Sequence, residues 1–179
     1  MPESNTQTNN PPDLPSDPEP EPSAESLVID IANQHSLSVS ENQIREVVAK
    51  ILADHDWRTG EISIASVDDE KIHELNREYL QHDYETDVLS FVFDSDEAAR
   101  SLSGEIVVSA DTAATMAKEH QVEPLDELLL YVIHGTLHLA GHDDKEESKR
   151  LEMRDAERKY TELFGIKYVQ PDEPDGGQR

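Results

Sequence analysis

Cysteine is absent from this chain of 179 residues, which excludes both disulfide bonds and metal ligands of the thiolate type. No disulfide can form, and no thiolate can bind a metal, so any metal ion must be held by histidine, aspartate or glutamate. Long apolar runs are absent too, since none approaches the roughly 20 residues of a membrane span. The N-terminus has neither the basic nor the apolar region of a signal peptide. We therefore expect a cytoplasmic protein without a membrane partner.

Basic residues are scarce. Lysine and arginine number 15 against 40 acidic residues, and the formal net charge is −25. Such a chain repels phosphate backbones at long range, which argues against a protein that binds nucleic acid through an overall positive charge. Six of the 15 cations nevertheless fall between Lys145 and Lys159, so a local basic surface is compatible with this composition.

The composition divides the chain into three parts. Residues 1–25 are rich in proline and acidic residues and contain no lysine or arginine, which predicts a disordered segment. Residues 26–165 carry the apolar periodicity of one domain, and residues 166–179 form a polar tail.

Apolar periodicity within residues 26–165 predicts an α+β domain, with a small mixed sheet packed against helices. The two histidines of one of these helices predict a metal site at the end of a central helix. Strands are predicted at 27–31, 61–67, 86–93 and 104–109, and helices at 41–55, 68–80, 111–120, from Pro124 onward, and 145–164. Ser40 and Asp111 are the predicted N-terminal caps, and Asp68 is the predicted start of its helix. The continuous apolar run that ends at Phe93 is typical of a strand covered on both faces.

The last predicted helix has an apolar stripe and a charged side. The stripe consists of Met153, Ala156, Tyr160 and Leu163, which we expect to be buried. Arg150, Arg154 and Arg158 recur every four residues, interleaved with Glu146, Glu147 and Glu157. This pattern favours ion pairing along the helix over a stripe that contacts RNA.

Two histidines end the most apolar helical segment of the chain. His134 and His138 are four residues apart, so on a helix they project from one face as a pair of imidazole ligands. Gly141 follows the last apolar residue, where a glycine with positive φ commonly ends a helix and lets the chain turn back.

A third ligand is needed, because a catalytic zinc usually takes three protein ligands and leaves one position for water. On a continuous helix His142 would lie roughly 12 Å along the axis from His134, too far for one cation. A turn at Gly141 favours a residue beyond it, and the spacing alone leaves Asp143 and Asp144 open.

The segment from His134 to Asp144 resembles the signature of the YbeY family of bacterial endoribonucleases, His-Gly-x-Leu-His-Leu-x-Gly-x-Asp-His, whose three histidines bind zinc. The match runs through Asp143, and Asp144 replaces the last histidine. A carboxylate can take that place, since two histidines and one acidic residue form an established zinc set. The resemblance therefore implies His134, His138 and Asp144 as ligands of one Zn²⁺ per chain, with His142 in reserve.

A second stretch resembles the same family. It comprises Leu75-Asn76, Tyr79, Asp83 and the segment Thr86-Asp-Val-Leu-Ser-Phe91. Here the chain departs at Leu80, where the family usually has an arginine that is thought to take part in RNA cleavage. Arg77, nearly one turn earlier, is the nearest substitute.

The resemblance implies a zinc-dependent, single-strand-specific endoribonuclease that matures ribosomal RNA at the 3′ end of 16S rRNA. Its partner would be the small ribosomal subunit rather than DNA. Leu80 and Asp144 favour an alternative, a ribosome assembly factor that cuts nothing and has a structural metal. A metal hydrolase acting on small substrates is a third reading. Gly135 argues against a zinc protease of the His-Glu-x-x-His type, because it occupies the position of the general base.

Overall fold

Four strands and five helices make up the part of the chain that the computed structural model describes, residues 26–167 and 169. In chain order they are β1 (Leu27–Asn33), α1 (Glu41–Asp54), β2 (Gly60–Val67), α2 (Asp69–Leu80), β3 (Val88–Asp96), β4 (Ser101–Ser109), α3 (Ala110–His120), α4 (Pro124–Leu139) and α5 (Glu147–Phe164). Every strand and helix predicted from the sequence is present, with bounds that differ by a few residues.

The strands form one mixed sheet in the order β1-β2-β4-β3. β1 pairs with β2, and β2 pairs with β4, in parallel, whereas β3 and β4 form an antiparallel hairpin. The parallel pairs need a crossover connection, and α1 supplies the one between β1 and β2. The predicted α+β class with a mixed sheet is confirmed.

Helix α4 lies at the centre of the domain, in contact with α1, α3, α5, β3 and β4. Its apolar side chains are buried on nearly all sides of the helix, which explains why its sequence has so few polar positions. The buried aliphatic side chains of α4 are Leu128, Leu129, Val132, Ile133, Leu137 and Leu139. The apolar side chains of α1 pack in the same core. A helix held from so many directions is a rigid support for the side chains at its C-terminal end.

Of the two predicted caps, Ser40 is confirmed; Asp68, predicted as the start of its helix, is the cap residue directly before it. The Ser40 side chain accepts a hydrogen bond from the backbone N–H of Gln43, and Asp68 accepts one from Lys71. The prediction for α3 is wrong, because Ser109 and not Asp111 caps it. Ser109 ends β4 and is followed directly by the helix, so Asp111 is already its second residue.

Strand β3 is not covered on both faces, and that prediction is also wrong. Leu89 is buried, but Val92 and Phe93 are more than half exposed. β3 is an edge strand of the sheet, and its second half extends beyond the helices that cover its start. A continuous apolar run carries no periodicity, so it does not tell where the covering layer ends.

Helix α5 buries a different stripe from the predicted one. Met153 and Tyr160 are buried as expected, whereas Leu163 is 55% exposed. Glu157, which we predicted to be in a surface ion pair, is buried instead, as is Thr161. The buried residues Met153, Glu157, Tyr160 and Thr161 lie on one face of the helix, so the Glu157 carboxylate is inside the domain.

The predicted segment 1–25 and most of the predicted tail, residues 168 and 170–179, lie outside the described residues and stay predictions. Ile166, the first tail residue in that division, packs against the core. Within residues 26–167 and 169, no helix combines the length and the apolar character needed to cross a bilayer.

Gly135 allows α4 to lie close to the sheet, and this generates a first prediction. A Cβ atom added at Gly135 would lie 2.8 Å from Cγ2 of Ile106 and 3.1 Å from Cγ2 of Val88. We expect Gly135→Ala to lower the free energy of unfolding by about 1 to 3 kcal/mol, because overpacking outweighs the roughly 1 kcal/mol gain in helix propensity. Urea denaturation measures the change.

The control is a double-mutant cycle. Ile106→Ala removes the clashing methyl group, so Gly135→Ala should become neutral or stabilising in that background. A Gly135→Ala variant as stable as the parent protein would contradict the packing explanation.

Candidate metal centre

His134 and His138 lie on the last two turns of α4 and face each other. Their Nε2 atoms are 2.9 Å apart, and their ring planes are inclined at 79°. Each side chain is about one quarter exposed. The pair predicted from the four-residue spacing is therefore present at the surface end of the central helix.

The chain reverses directly after this helix. α4 ends at Leu139, and Gly141 has a φ of +106°, a conformation that favours glycine. The backbone N–H groups of Gly141 and His142 donate hydrogen bonds to the carbonyl groups of His138 and Leu137. These bonds satisfy the last carbonyls of the helix and fix the path of the turn.

The reversal brings Asp144 back to the histidines. Its Oδ2 atom lies 3.7 Å from Nε2 of His134 and 3.7 Å from Nε2 of His138. A tetrahedral zinc ion with bonds of about 2.0 to 2.1 Å separates its ligand atoms by about 3.3 Å. The observed separations of 2.9, 3.7 and 3.7 Å bracket that value. These three residues can therefore hold one metal ion, with room for a further ligand on the exposed side.

The other two candidates for the third ligand point elsewhere. Asp143 accepts hydrogen bonds from the backbone N–H groups of Asp144 and Lys145, and thereby stabilises the turn. His142, the reserve candidate, lies on the other side of the turn, where its Nε2 is 2.9 Å from Nε2 of His55. Of the residues that the spacing left open, the structure brings only Asp144 to the histidine pair.

Hydrogen bonds to the far nitrogens orient both imidazoles. Nδ1 of His134 donates to Oε1 of Glu157 at 2.6 Å, and Nδ1 of His138 donates to the carbonyl oxygen of His142 at 3.0 Å. Each Nε2 is consequently the atom available to a metal. Glu157 was missed as a site residue in the sequence. The signal was available, because Glu157 lies four residues after Met153 and three before Tyr160, on the helix face that these two buried residues share.

Two opposing effects act on His134. Burial lowers the pKa of this histidine and is the largest single effect. The hydrogen bond and the negative charge of Glu157, together with the charges of Asp87 and Asp144, outweigh it, and the pKa is raised above its ordinary value. Because a metal binds only the neutral imidazole, the same negative charges that attract a cation also strengthen the competing proton.

A cleft of about 650 Å³ opens beside the three residues. It lies between α3, α4 and α5 and is closed at one end by the segment before β3. Its lining combines cationic, apolar and acidic side chains: Arg150, Arg154, Met116, Leu130, Tyr131, Met153, Glu85, Asp87 and Glu127. Burial raises the pKa of Tyr131, whose hydroxyl therefore stays protonated. Leu80 and Arg77 are exposed on α2 and do not line this cleft.

The domain thus has a mixed sheet, a buried central helix and a group of two histidines and one carboxylate at the mouth of a cleft. This is the class of site that metal-dependent hydrolases use.

The family model for endoribonuclease YbeY matches residues 29–165, and the chain belongs to this family. The resemblance seen in the sequence is confirmed.

Individual relatives agree with that assignment. An endoribonuclease YbeY of Rhodopirellula baltica is 46% identical over 109 residues, which cover 60% of this chain and 55% of that protein. The protein of the same name from Bacteroides thetaiotaomicron is 39% identical over 121 residues, 68% of this chain and 86% of that one. A Thermotoga maritima protein of known solution structure superposes with a TM-score of 0.56 at 28% identity, over 84% of this chain and 100% of that chain.

The ligand assignment generates a second prediction. We expect Asp144→Ala to lose stoichiometric metal after dialysis, because two imidazoles alone do not complete the group. His142→Ala should retain one tightly bound ion, since its side chain faces away from the other two histidines. Metal content measured by inductively coupled plasma mass spectrometry distinguishes the variants. The reverse result would reassign the third ligand.

Glu157 generates a third prediction, which concerns both the affinity for zinc and the pKa of His134. Glu157→Gln keeps an oxygen that can accept from His134 but removes the negative charge. The affinity for zinc at neutral pH should fall about 10- to 100-fold, as is usual when an oriented carboxylate behind a ligand is lost. In the metal-free protein the pKa of His134 should fall, because its main stabilising charge is gone.

Imidazole NMR signals followed against pH measure the second effect. His120, which is hydrogen-bonded to Glu127, serves as the internal control because its carboxylate partner is unchanged. A pKa of His134 that is unchanged or raised in the Glu157→Gln variant would refute the electrostatic account.

Proposed function

We propose that this protein is a zinc-dependent endoribonuclease that cleaves single-stranded RNA during late maturation of 16S rRNA at its 3′ end. The observation that carries the proposal is the convergence of His134, His138 and Asp144 at the mouth of a cleft that also contains two arginines. Membership of the endoribonuclease YbeY family supports RNA as the substrate. A ribosomal substrate implies action in the cytoplasm, next to the small subunit.

Zinc fits the donor set better than magnesium or calcium, because two imidazole nitrogens and one carboxylate form an established zinc set, whereas hard cations prefer oxygen. His134, His138 and Asp144 would hold one ion per chain. When bound, zinc supplies Lewis acidity toward a phosphoryl oxygen and promotes ionisation of a water molecule.

The side chains of the cleft have separate roles in this proposal. Arg150 and Arg154 carry the positive charge that a phosphodiester requires, in a chain whose net charge otherwise opposes RNA. Met116 and Leu130, which are partly exposed in the cleft, provide apolar surface for a base. Glu157 holds the His134 ring in place through its hydrogen bond. A cleft of about 650 Å³ has the volume typical of small-ligand pockets, which suits an unpaired nucleotide rather than a duplex.

Arg158 differs from the two cleft arginines. It forms an ion pair of 2.6 Å with Asp155, which is not one of the glutamates named in the sequence pattern, and does not line the cleft. The arginines of α5 therefore have two positions: Arg158 pairs with Asp155 on the helix surface, and Arg150 and Arg154 line the cleft.

Two features of Gly135 argue against proteolysis by the His-Glu-x-x-His route: the residue is not a glutamate, and its position faces the sheet. Gly135 lies against Ile106 and Val88 of the sheet, so a side chain at this position would point into the core rather than toward the candidate metal centre.

One observation favours the rival, a ribosome assembly factor that does not cut RNA. Leu80 stands where the family usually has an arginine, and Arg77 does not line the cleft either. If that arginine is indispensable to cleavage, this chain binds RNA without cutting it.

The fourth prediction separates these functions. Zinc-loaded protein should cleave a single-stranded RNA oligonucleotide and leave the matching duplex intact, and both chelation and Asp144→Ala should abolish cleavage. Gel analysis of end-labelled RNA measures the products. Intact RNA in the presence of protein with one bound zinc per chain would favour the assembly factor.

The two kinds of arginine on α5 provide matched variants for RNA binding. Arg150→Gln should weaken binding of the single strand roughly 10-fold and reduce its salt dependence by about 0.7 in the logarithmic slope, as expected for one lost phosphate contact. Arg158→Gln should change neither, because its side chain lies outside the cleft. Equal effects of both substitutions would show that general charge, and not the cleft, attracts the RNA.

A further inference from the structure

A second pair of histidines lies on the opposite side of the chain reversal. His55 follows the last residue of α1, and its Nε2 is 2.9 Å from Nε2 of His142. The two ring planes are inclined at 76°. These values almost repeat those of His134 and His138, which are 2.9 Å and 79°. The domain therefore presents two similar pairs of imidazole nitrogens, and only one of them belongs to the centre described above.

The tautomer of His55 is fixed by its surroundings. Its Nδ1 donates a hydrogen bond of 2.7 Å to the carbonyl oxygen of Ile51, so Nε2 carries the lone pair. A backbone carbonyl behind the far nitrogen is the usual support of a metal-binding histidine. The backbone of His142 is fixed as well, because its carbonyl oxygen accepts from His138 and its N–H donates to Leu137.

Carboxylates lie beside this pair. A pocket of about 300 Å³ opens at His55 and His142 and is also lined by Asp143, Glu152 and Lys149. Lys149 forms an ion pair of 3.0 Å with Glu152, and both side chains are about half exposed. Asp143 is engaged by the backbone of the turn, so Glu152 is the carboxylate that can reorient toward the histidines.

We propose that His55 and His142 form a second site for a divalent transition metal of the nickel or copper type. With metal–nitrogen bonds of about 2.0 to 2.1 Å, nitrogens 2.9 Å apart subtend an angle of roughly 90° at the ion. This is the angle between neighbouring ligands in square-planar and octahedral complexes, which nickel and copper form with imidazole. The His134–His138 pair has the same separation, so the distance alone does not select the ion; nickel and copper are proposed here because imidazole ligands suit them and copper binds most tightly among the first-row divalent ions.

The second site is weaker than the first. Among the residues that the structure describes, only His134, His138 and Asp144 form a group of three with ligand atoms within 4.8 Å of one another. At the second site two protein ligands are in place, and Glu152 and water complete the coordination. Metal ions therefore occupy the second site only after the first centre is filled.

Titration of the metal-free, full-length protein with Ni²⁺ in a calorimeter tests the proposal. The parent protein should bind two equivalents, the second at least 10-fold more weakly than the first. His55→Gln and His142→Gln, which alter different segments of the chain, should each bind one equivalent. Asp144→Ala should lose the tight ion and keep the weaker one, so failure of the first centre and failure of the second are distinguishable.

His73→Gln is the matched control, because His73 is a histidine hydrogen-bonded to the exposed Asp83, remote from both pairs. This variant should still bind two equivalents. In Cu²⁺-loaded protein, His55→Gln should also remove the nitrogen couplings of the second ion from the electron paramagnetic resonance spectrum. Binding of one equivalent by the parent protein, or of two by both histidine variants, would overturn the proposal and leave a hydrogen bond between two imidazoles.

Discussion

The backbone of Gly141 has a φ of +106°, and the arrangement of the candidate metal centre depends on it. Two of the three candidate ligands are fixed by α4, a helix buried in the core and therefore unable to adjust. The third reaches them only because the chain reverses within a few residues after Leu139. A residue with a Cβ atom is strained at this φ, so the reversal and the glycine are inseparable. The same reversal directs His142 away from the centre and toward α1.

Negative charges surround His134 and favour a cation at the candidate metal centre. Glu157, Asp144 and Asp87 all raise the pKa of His134, which means that the surroundings of this imidazole favour a positive charge. A metal ion satisfies that preference at neutral pH, and a proton does so at lower pH. The two cleft arginines lie on the same side but are outnumbered by the five carboxylates that line the cleft, so the positive charge available to a phosphate is confined to the α5 wall.

Local signals in the sequence predicted much of the fold. The four-residue spacing of His134 and His138 and the position of Gly141 depend only on helix geometry and on the preference of glycine for positive φ, and the structure contains both. The caps at Ser40 and Asp68 follow from the same kind of short-range chemistry. Spacing left Asp143 and Asp144 equally open, and only the resemblance to a family distinguished them. The direction of a side chain after a turn is a tertiary property.

The predictions that were wrong concern which surfaces meet. Leu163 was expected to be buried and Glu157 exposed, because hydrophobicity was taken as the guide to the inner face of α5. The helix instead turns a carboxylate inward, where His134 donates a hydrogen bond that offsets its burial. Apolar character likewise misled at Phe93, since the sheet ends at that strand and no helix covers it.

The exposed end of β3 has a consequence for self-association. An edge strand with unpaired backbone groups and exposed apolar side chains is a template on which a second copy can add by strand pairing. Here the register breaks between Val92 and Asp94, and Asp94 and Asp96 follow on the same strand. Two such edges brought together would oppose like charges across an interrupted ladder, in molecules that already carry −25 each. The acidity that weakens the attraction for RNA thus protects the open side of the sheet from aggregation.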